Sequence, residues 1–166
     1  MSYIPFPVNE ILTGLVQLLR SNRTAFSPNL DSADLDEFFG VGKDLDDLGD
    51  AFVIVRTDDG EFGYGGVKSS EDTIKAAAIL YSLMDTANSR DGSLLLLRQL
   101  VQVLRSTTSL DTLATLVNAE TEIKSMRPVS YSPDNQFAAQ NYTGWAVNVE
   151  IAISSRATKA ALPTYA

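Results

Sequence analysis

The 166-residue sequence contains no cysteine and no histidine. The first absence rules out disulfides, thiolate metal sites and cysteine nucleophiles, and the second rules out imidazole metal sites and every histidine-based triad. Positive charge is scarce and scattered: thirteen Lys and Arg stand against twenty-one Asp and Glu, for a net charge of -8. A protein that grips nucleic acid by neutralising phosphates needs clustered basic residues, so that class is disfavoured. No apolar run approaches the roughly 20 residues that cross a bilayer. The opening stretch MSYIPFPVNE lacks a basic region followed by an apolar core, so no signal peptide is expected. A chain made in the cytoplasm, soluble and without a membrane partner, is the expectation. No internal repeat or low-complexity tract stands out.

What is present is the composition of an ordinary soluble domain, 45% hydrophobic and 20% charged. A chain of this length buries roughly 70% of its unfolded surface, which is enough for a core without staples. The strongest pattern is Tyr142 to Ser154, YTGWAVNVEIAIS. There Trp145, Val147, Val149, Ile151 and Ile153 alternate with Ala146, Asn148, Glu150, Ala152 and Ser154. Period two with one large apolar face predicts a strand. The best cover for that face is the run Ser93 to Arg105, SLLLLRQLVQVLR.

In chain order, Val8 to Ser21 predicts an amphipathic helix with Ile11, Leu12, Leu15, Leu18 and Leu19 on its core stripe and Asn9 as a possible cap. From Asp31 to Asp50 the composition turns acidic. Asp31, Asp34, Asp36, Glu37, Asp44, Asp46, Asp47 and Asp50 are set against the single Lys43, with apolar residues between them that would dock the segment on the body. AFVIVR, Ala51 to Arg56, suits a strand buried on both faces. Thr57 to Ser70, TDDGEFGYGGVKSS, with four glycines, predicts a loop or a long hairpin connection. Thr73 to Met84 fits either a helix stripe or a strand buried on both sides. Strand is favoured because the glycine-rich connector most simply returns the chain as an antiparallel neighbour, although alanine prefers helix.

The leucine helix is expected to be capped by Asp91 or Ser93 and to end at Ser106 to Ser109. Leu97, Leu100, Val101 and Leu104 form its stripe, and Leu94, Leu95 and Leu96 make its first turn apolar nearly all round. Burial of that turn by more than the sheet alone is expected, a neighbouring subunit being one candidate cover. Leu110 to Asn118 is ambiguous. Glu120 to Tyr131 predicts an amphiphilic strand interrupted by Pro128, which points to an edge position or a strand end. The result is an α+β fold, a small helix-on-antiparallel-sheet sandwich in the order α-β-β-α-β-β. It forms a single domain over 1–156, with the acidic insert at 31–50, the Gly-rich loop at 57–70 and a C-terminal tail at 157–166.

The chemical motifs are weak. Asp44, Asp46 and Gly49 match three positions of a calcium loop, but Leu48 sits where a ligand belongs and Val55 replaces the closing Glu. A solvated acidic face is the simpler reading. GEFGYGGVKSS follows a strand and ends in Lys-Ser, but a phosphate-binding loop needs glycine before the lysine, where Val67 stands. Glu61 with Asp58 or Asp59 has the residue types of an acid–base pair, yet acidic turn residues beside glycine are common. Trp145, in phase with four aliphatics, suits a core or interface anchor. Neither a catalytic residue, a metal ligand nor a cofactor is expected.

The chain resembles the tail terminator proteins of tailed bacteriophages, especially those of Mu-like contractile tails. The resemblance lies in FVIV at Phe52 to Val55, in ILYSLMDTANSRDGSLLLLRQLVQVL from Ile79 to Leu104, and in IKSMRPVSYS followed by GWAVNVEIAIS. It implies a structural virion protein without enzymatic activity, assembled in the host cytoplasm as a ring, commonly a hexamer. Such a ring caps the tail tube, contacts tube, sheath and neck proteins, and joins the tail to the head. A closed ring needs two different complementary patches on each subunit, and Leu94, Leu95, Leu96, Phe62 and Tyr64 are the candidates. The eight acidic residues would line the lumen and repel the DNA that passes through it without specific binding. Alternatives are a head-tail connector or neck protein, a soluble module that uses the acidic loop for a cation or basic partner, and a carboxylate-only hydrolase.

Overall fold

The computed structural model describes residues 2–26, 51–83, 90–115, 117 and 120–159. Its elements are α1 (Val8–Ser21), β1 (Ala51–Thr57), β2 (Glu61–Gly66), β3 (Ser69–Leu83), α2 (Arg90–Arg105), α3 (Thr107–Ala114), β4 (Thr121–Asp134) and β5 (Tyr142–Arg156), with short 3-10 turns at Arg23–Ala25 and Ala138–Gln140. The strands form one antiparallel sheet in the order β1-β3-β5-β4, and β2 also pairs with β3. β1 takes residues 76–82 of β3 and β2 takes residues 69–73, so the two lie one after the other along the same edge of β3. The fold is α+β, with helices on the sheet.

The large face of β5 lies where its pattern puts it. Val147, Val149, Ile151 and Ile153 are fully buried in one core with Leu96, Leu97, Leu100 and Leu104 of α2 and with the α1 stripe Ile11, Leu12, Leu15, Leu18 and Leu19. Each such side chain contributes about 1.5–3 kcal/mol by leaving water. The helices cover that side of the sheet only. β3 is nevertheless buried on both sides from Ala76 to Ser82 because a second cluster forms on the opposite face. In it Phe52, Ile79 and Tyr81 are capped by Phe137 from the β4–β5 connection, whose ring meets Tyr81 edge-on at 4.8 Å. This second cover is why the alanine-rich run is a strand and not a helix: all its side chains are needed against two layers.

Several local expectations change. α1 starts at Val8 behind Pro7, so Asn9 lies inside the first turn and caps nothing; proline at a helix start loses no intrahelical bond. α2 starts at Arg90, which puts Asp91 and Ser93 inside it and not ahead of it. A further helix, α3, begins at Thr107 where the leucine helix was expected only to end. Of the two readings of the Gly-rich stretch 57–70, loop or long hairpin connection, the hairpin is the one seen, since Glu61–Gly66 forms β2 and Ser69 already belongs to β3. The tail is tied down at its start. Tyr3 and Thr158 exchange backbone bonds of 3.0 and 2.8 Å, and the Ala157 amide donates to the Lys68 carbonyl at 2.7 Å.

Candidate assembly surfaces

Along one edge of the sheet the sequence EFGYGG alternates glycine with aromatic side chains. Phe62 pairs with Asp72 and Tyr64 with Ser70, in phase with the β3 residues that face the helices, so both rings project on the helix side. They are 79% and 85% exposed, and Val67 at the following turn is 88% exposed. Phe6 meets Phe62 edge-on at 5.2 Å. Gly63 is required where it stands, because a Cβ there would run into the Glu71 carbonyl oxygen. At the root of the hairpin Asp58 and Asp59 are exposed; Asp58 lies 3.8 Å from Arg56 and Glu61 lies 3.9 Å from Lys75.

The opposite edge is β4. Its ladder with β5 is shifted between Ile123 and Ser125 and again between Pro128 and Ser130. The second shift pushes Val129 out of register, and Val129 and Tyr131 stay exposed. Beside them Leu97, Arg98, Val101 and Arg105 of α2 complete a groove of about 600 Å³ on the helix side of the sheet. Among the described residues no carboxylate lines it. In a chain of net charge -8, this is a basic-rimmed apolar groove.

The leucine turn divides. Leu94 and Leu95 are 38% and 40% exposed and remain available to a neighbour, whereas Leu96 is fully buried and is not an interface residue. Leu96 is in phase with Leu100 and Val103, all three in the core of their own chain. Trp145 is half-buried over this core, and its indole N–H donates to the Ser93 hydroxyl at 3.4 Å. Asp31, Asp34, Asp36, Glu37, Asp44, Asp46, Asp47 and Asp50 lie outside the described residues, as do the calcium-loop positions.

The helix-free face of the sheet carries charge in cross-strand rows. Glu61 pairs with Lys75, and Arg127 reaches Glu150 at 3.4 Å. Lys124 reaches Glu71 at 3.2 Å, and Ser154 donates to the same carboxylate at 2.9 Å. The Ser154 hydrogen bond first, then Lys124, holds the Glu71 carboxyl below the usual carboxylate range. A hollow of about 600 Å³ is lined here by Asp58, Asp59, Lys75 and Glu150. Its acids sit beside cations of their own sheet, and among the described residues no group of three or more His, Cys, Asp or Glu converges to hold a metal. Lys68 is followed directly by β3, which starts at Ser69, not by the helix that a phosphate-binding loop requires. At the Phe137 end, Tyr81 donates to Asp134 at 2.7 Å. Burial, then that neighbouring carboxylate, pushes the phenol well above its ordinary value.

Sequence reasoning located Phe62, Tyr64, Leu94 and Leu95 as outward-facing apolar residues, and missed Arg98, Arg105, Val129 and Tyr131. The arginines were readable as an i, i+7 pair flanking Val101 on α2, a spacing that keeps them on one side of the helix. Val129 was not, because its exposure comes from a bulge that only the ladder with β5 defines. Compared with known proteins, the chain matches no family model, and no curated protein matches it in sequence.

Proposed function

We propose that the chain is a structural subunit of a phage tail, a tail terminator that assembles into a closed ring, caps the tail tube and joins the tail to the neck, without catalytic activity. The observation that carries this reading is the unlikeness of the two sheet edges. One presents exposed aromatic side chains on a glycine-rich hairpin, and the other presents a basic-rimmed groove beside an irregular strand. A subunit with two different sticky edges associates head to tail, and head-to-tail contacts close into rings when the rotation allows. The resemblance to terminator proteins supplies the tail context, and a net charge of -8 suits a channel through which DNA slides. A head-tail connector or neck protein of the same virion would draw on the same features.

Negative-stain electron microscopy with native mass spectrometry tests it, on the protein alone and mixed with its neighbouring tube, sheath and neck proteins. A closed ring of about six copies with a central hole is the expected result. A strict monomer in every mixture would overturn the reading and favour a soluble binding module.

A further inference from the structure

We propose that the groove between α2 and β4 of one copy receives residues 31–50 of a second copy, their carboxylates meeting Arg98 and Arg105 and their apolar side chains entering the lining between. The inference rests on the head-to-tail association proposed above, names the contact that holds it, and does not depend on the virion role.

Charge comes first. Leu97, Val101, Val129 and Tyr131 give the groove an apolar lining, Arg98 and Arg105 stand on its helix wall, and among the described residues no carboxylate lines it. The two arginines are two helical turns apart, about 10 Å along α2. Both are exposed, and among the described residues neither has an ion-pair partner. On the sheet the cations are matched: Arg56, Lys75, Lys124 and Arg127 each lie within 3.9 Å of a carboxylate. Where acids outnumber bases, two open arginines beside an apolar surface are the complement of an acidic segment that also carries large apolar residues.

The edge settles how such a segment is held. Pro128 has no N–H to give, and two register shifts break the row of backbone groups along β4. The segment therefore engages by inserting side chains above β4 and not by extending the sheet.

Residues 31–50 have that chemistry. Eight acids stand there against the single Lys43, with Leu35, Phe38 and Phe39 set among Asp34, Asp36 and Glu37. These residues lie outside the described ones, but the chain re-enters the fold at Ala51, the first residue of β1. β1 is on the edge opposite to β4, with β3 and β5 between them. In a head-to-tail array that edge of one copy faces the groove edge of the next. The acidic stretch is thus tethered to the edge that meets the neighbour's groove. Roughly 40 Å of extended chain separates Phe39 from Ala51, ample reach across adjoining edges.

A photo-reactive benzoyl-phenylalanine in place of Phe38 reads the contact directly. On irradiation the assembled protein should give a covalent dimer whose cross-linked peptide comes from α2 or β4. Dimers joined elsewhere, or cross-links confined within one chain, overturn the docking. Charge reversal gives a second reading. Asp34→Lys, Asp36→Lys and Glu37→Lys together in one chain should weaken self-association about 100-fold, and Arg98→Glu with Arg105→Glu in another should do the same. An equimolar mixture of the two should assemble again, because the reversed stretch then meets the reversed groove; a mixture that does not recover overturns the pairing. Native mass spectrometry reads the species, and circular dichroism checks that each variant is folded. If the wild type assembles while both reversed variants assemble equally well, the docking is wrong and the ring reading stands. A wild type that stays monomeric at every concentration, alone and with its tail partners, removes both.

Discussion

The two edges of the sheet handle exposure in opposite ways. β4 is long, but Pro128, Pro133, Lys124, Arg127 and two register shifts keep its backbone from pairing further, the usual protections against edge-to-edge association. β2 has one register shift, between Tyr64 and Gly66, and none of the others. It is six residues with three glycines, no proline and no lysine, and it places two aromatic rings in water. In the proposed ring this sparsely protected edge is a contact surface and not a defect of design. The comparison teaches that the two edges are unlike: in the proposed ring one offers and the other receives.

The sharpest way to break the comparison is to strip the offering edge. Phe62→Ala with Tyr64→Ala should cost about 3 kcal/mol in self-association and leave the melting temperature almost unchanged, since neither ring is in the core. Sedimentation across a concentration series, with a thermal melt of the same samples, reads both. A smaller effect follows from Gly63→Ala, whose new methyl group would force β2 away from the Glu71 carbonyl. About 2 kcal/mol of stability should be lost, seen in urea melts, and assembly should weaken with it because the aromatics lose their fixed support.

Between the edges, Tyr81 holds the second cluster through its bond to Asp134. Its folded-state pKa is raised, so its contribution is fully present below the unfolded value of about 10 and is lost as pH rises above it. Tyr81→Phe should cost about 1 kcal/mol at neutral pH and flatten the alkaline decline, measured by urea melts at a series of pH values. The smallest effect belongs to Glu71, whose lowered pKa makes its contribution present above the ordinary carboxylate range and lost as pH falls through the folded value. In carboxyl NMR titrations its midpoint should lie below the ordinary value and return toward it in Lys124→Ala, with the neutral-pH melting temperature unmoved.

The interior of the fold was legible and its surfaces only partly so. β5 and α1 could be read because each sets large apolar residues against small or polar ones at a single period, and burial follows the period. β2 could not, since glycine is a poor strand former and its pairing is imposed by the neighbouring ladder. α3 was hidden for a related reason. It is eight residues without a side-chain cap bond, and only Ser109 and Leu113 are buried. The consecutive leucines Leu94 to Leu96 carry no phase of their own, so which of them faced inward was settled only by packing against the sheet. The groove was the least visible feature, because α2 and the bulged Val129 that build it lie far apart in the chain.

The most direct test of the proposed head-to-tail association mixes two variants altered at opposite edges. One carries Phe62→Ala and Tyr64→Ala and keeps its groove; the other carries Arg98→Glu and Arg105→Glu and keeps its hairpin. Light scattering coupled to size exclusion should find each alone as a monomer and the mixture as a one-to-one heterodimer that grows no further, since only one pair of complementary edges remains. A mixture that stays monomeric while the wild type assembles, or that forms full rings, would contradict head-to-tail association through these two edges.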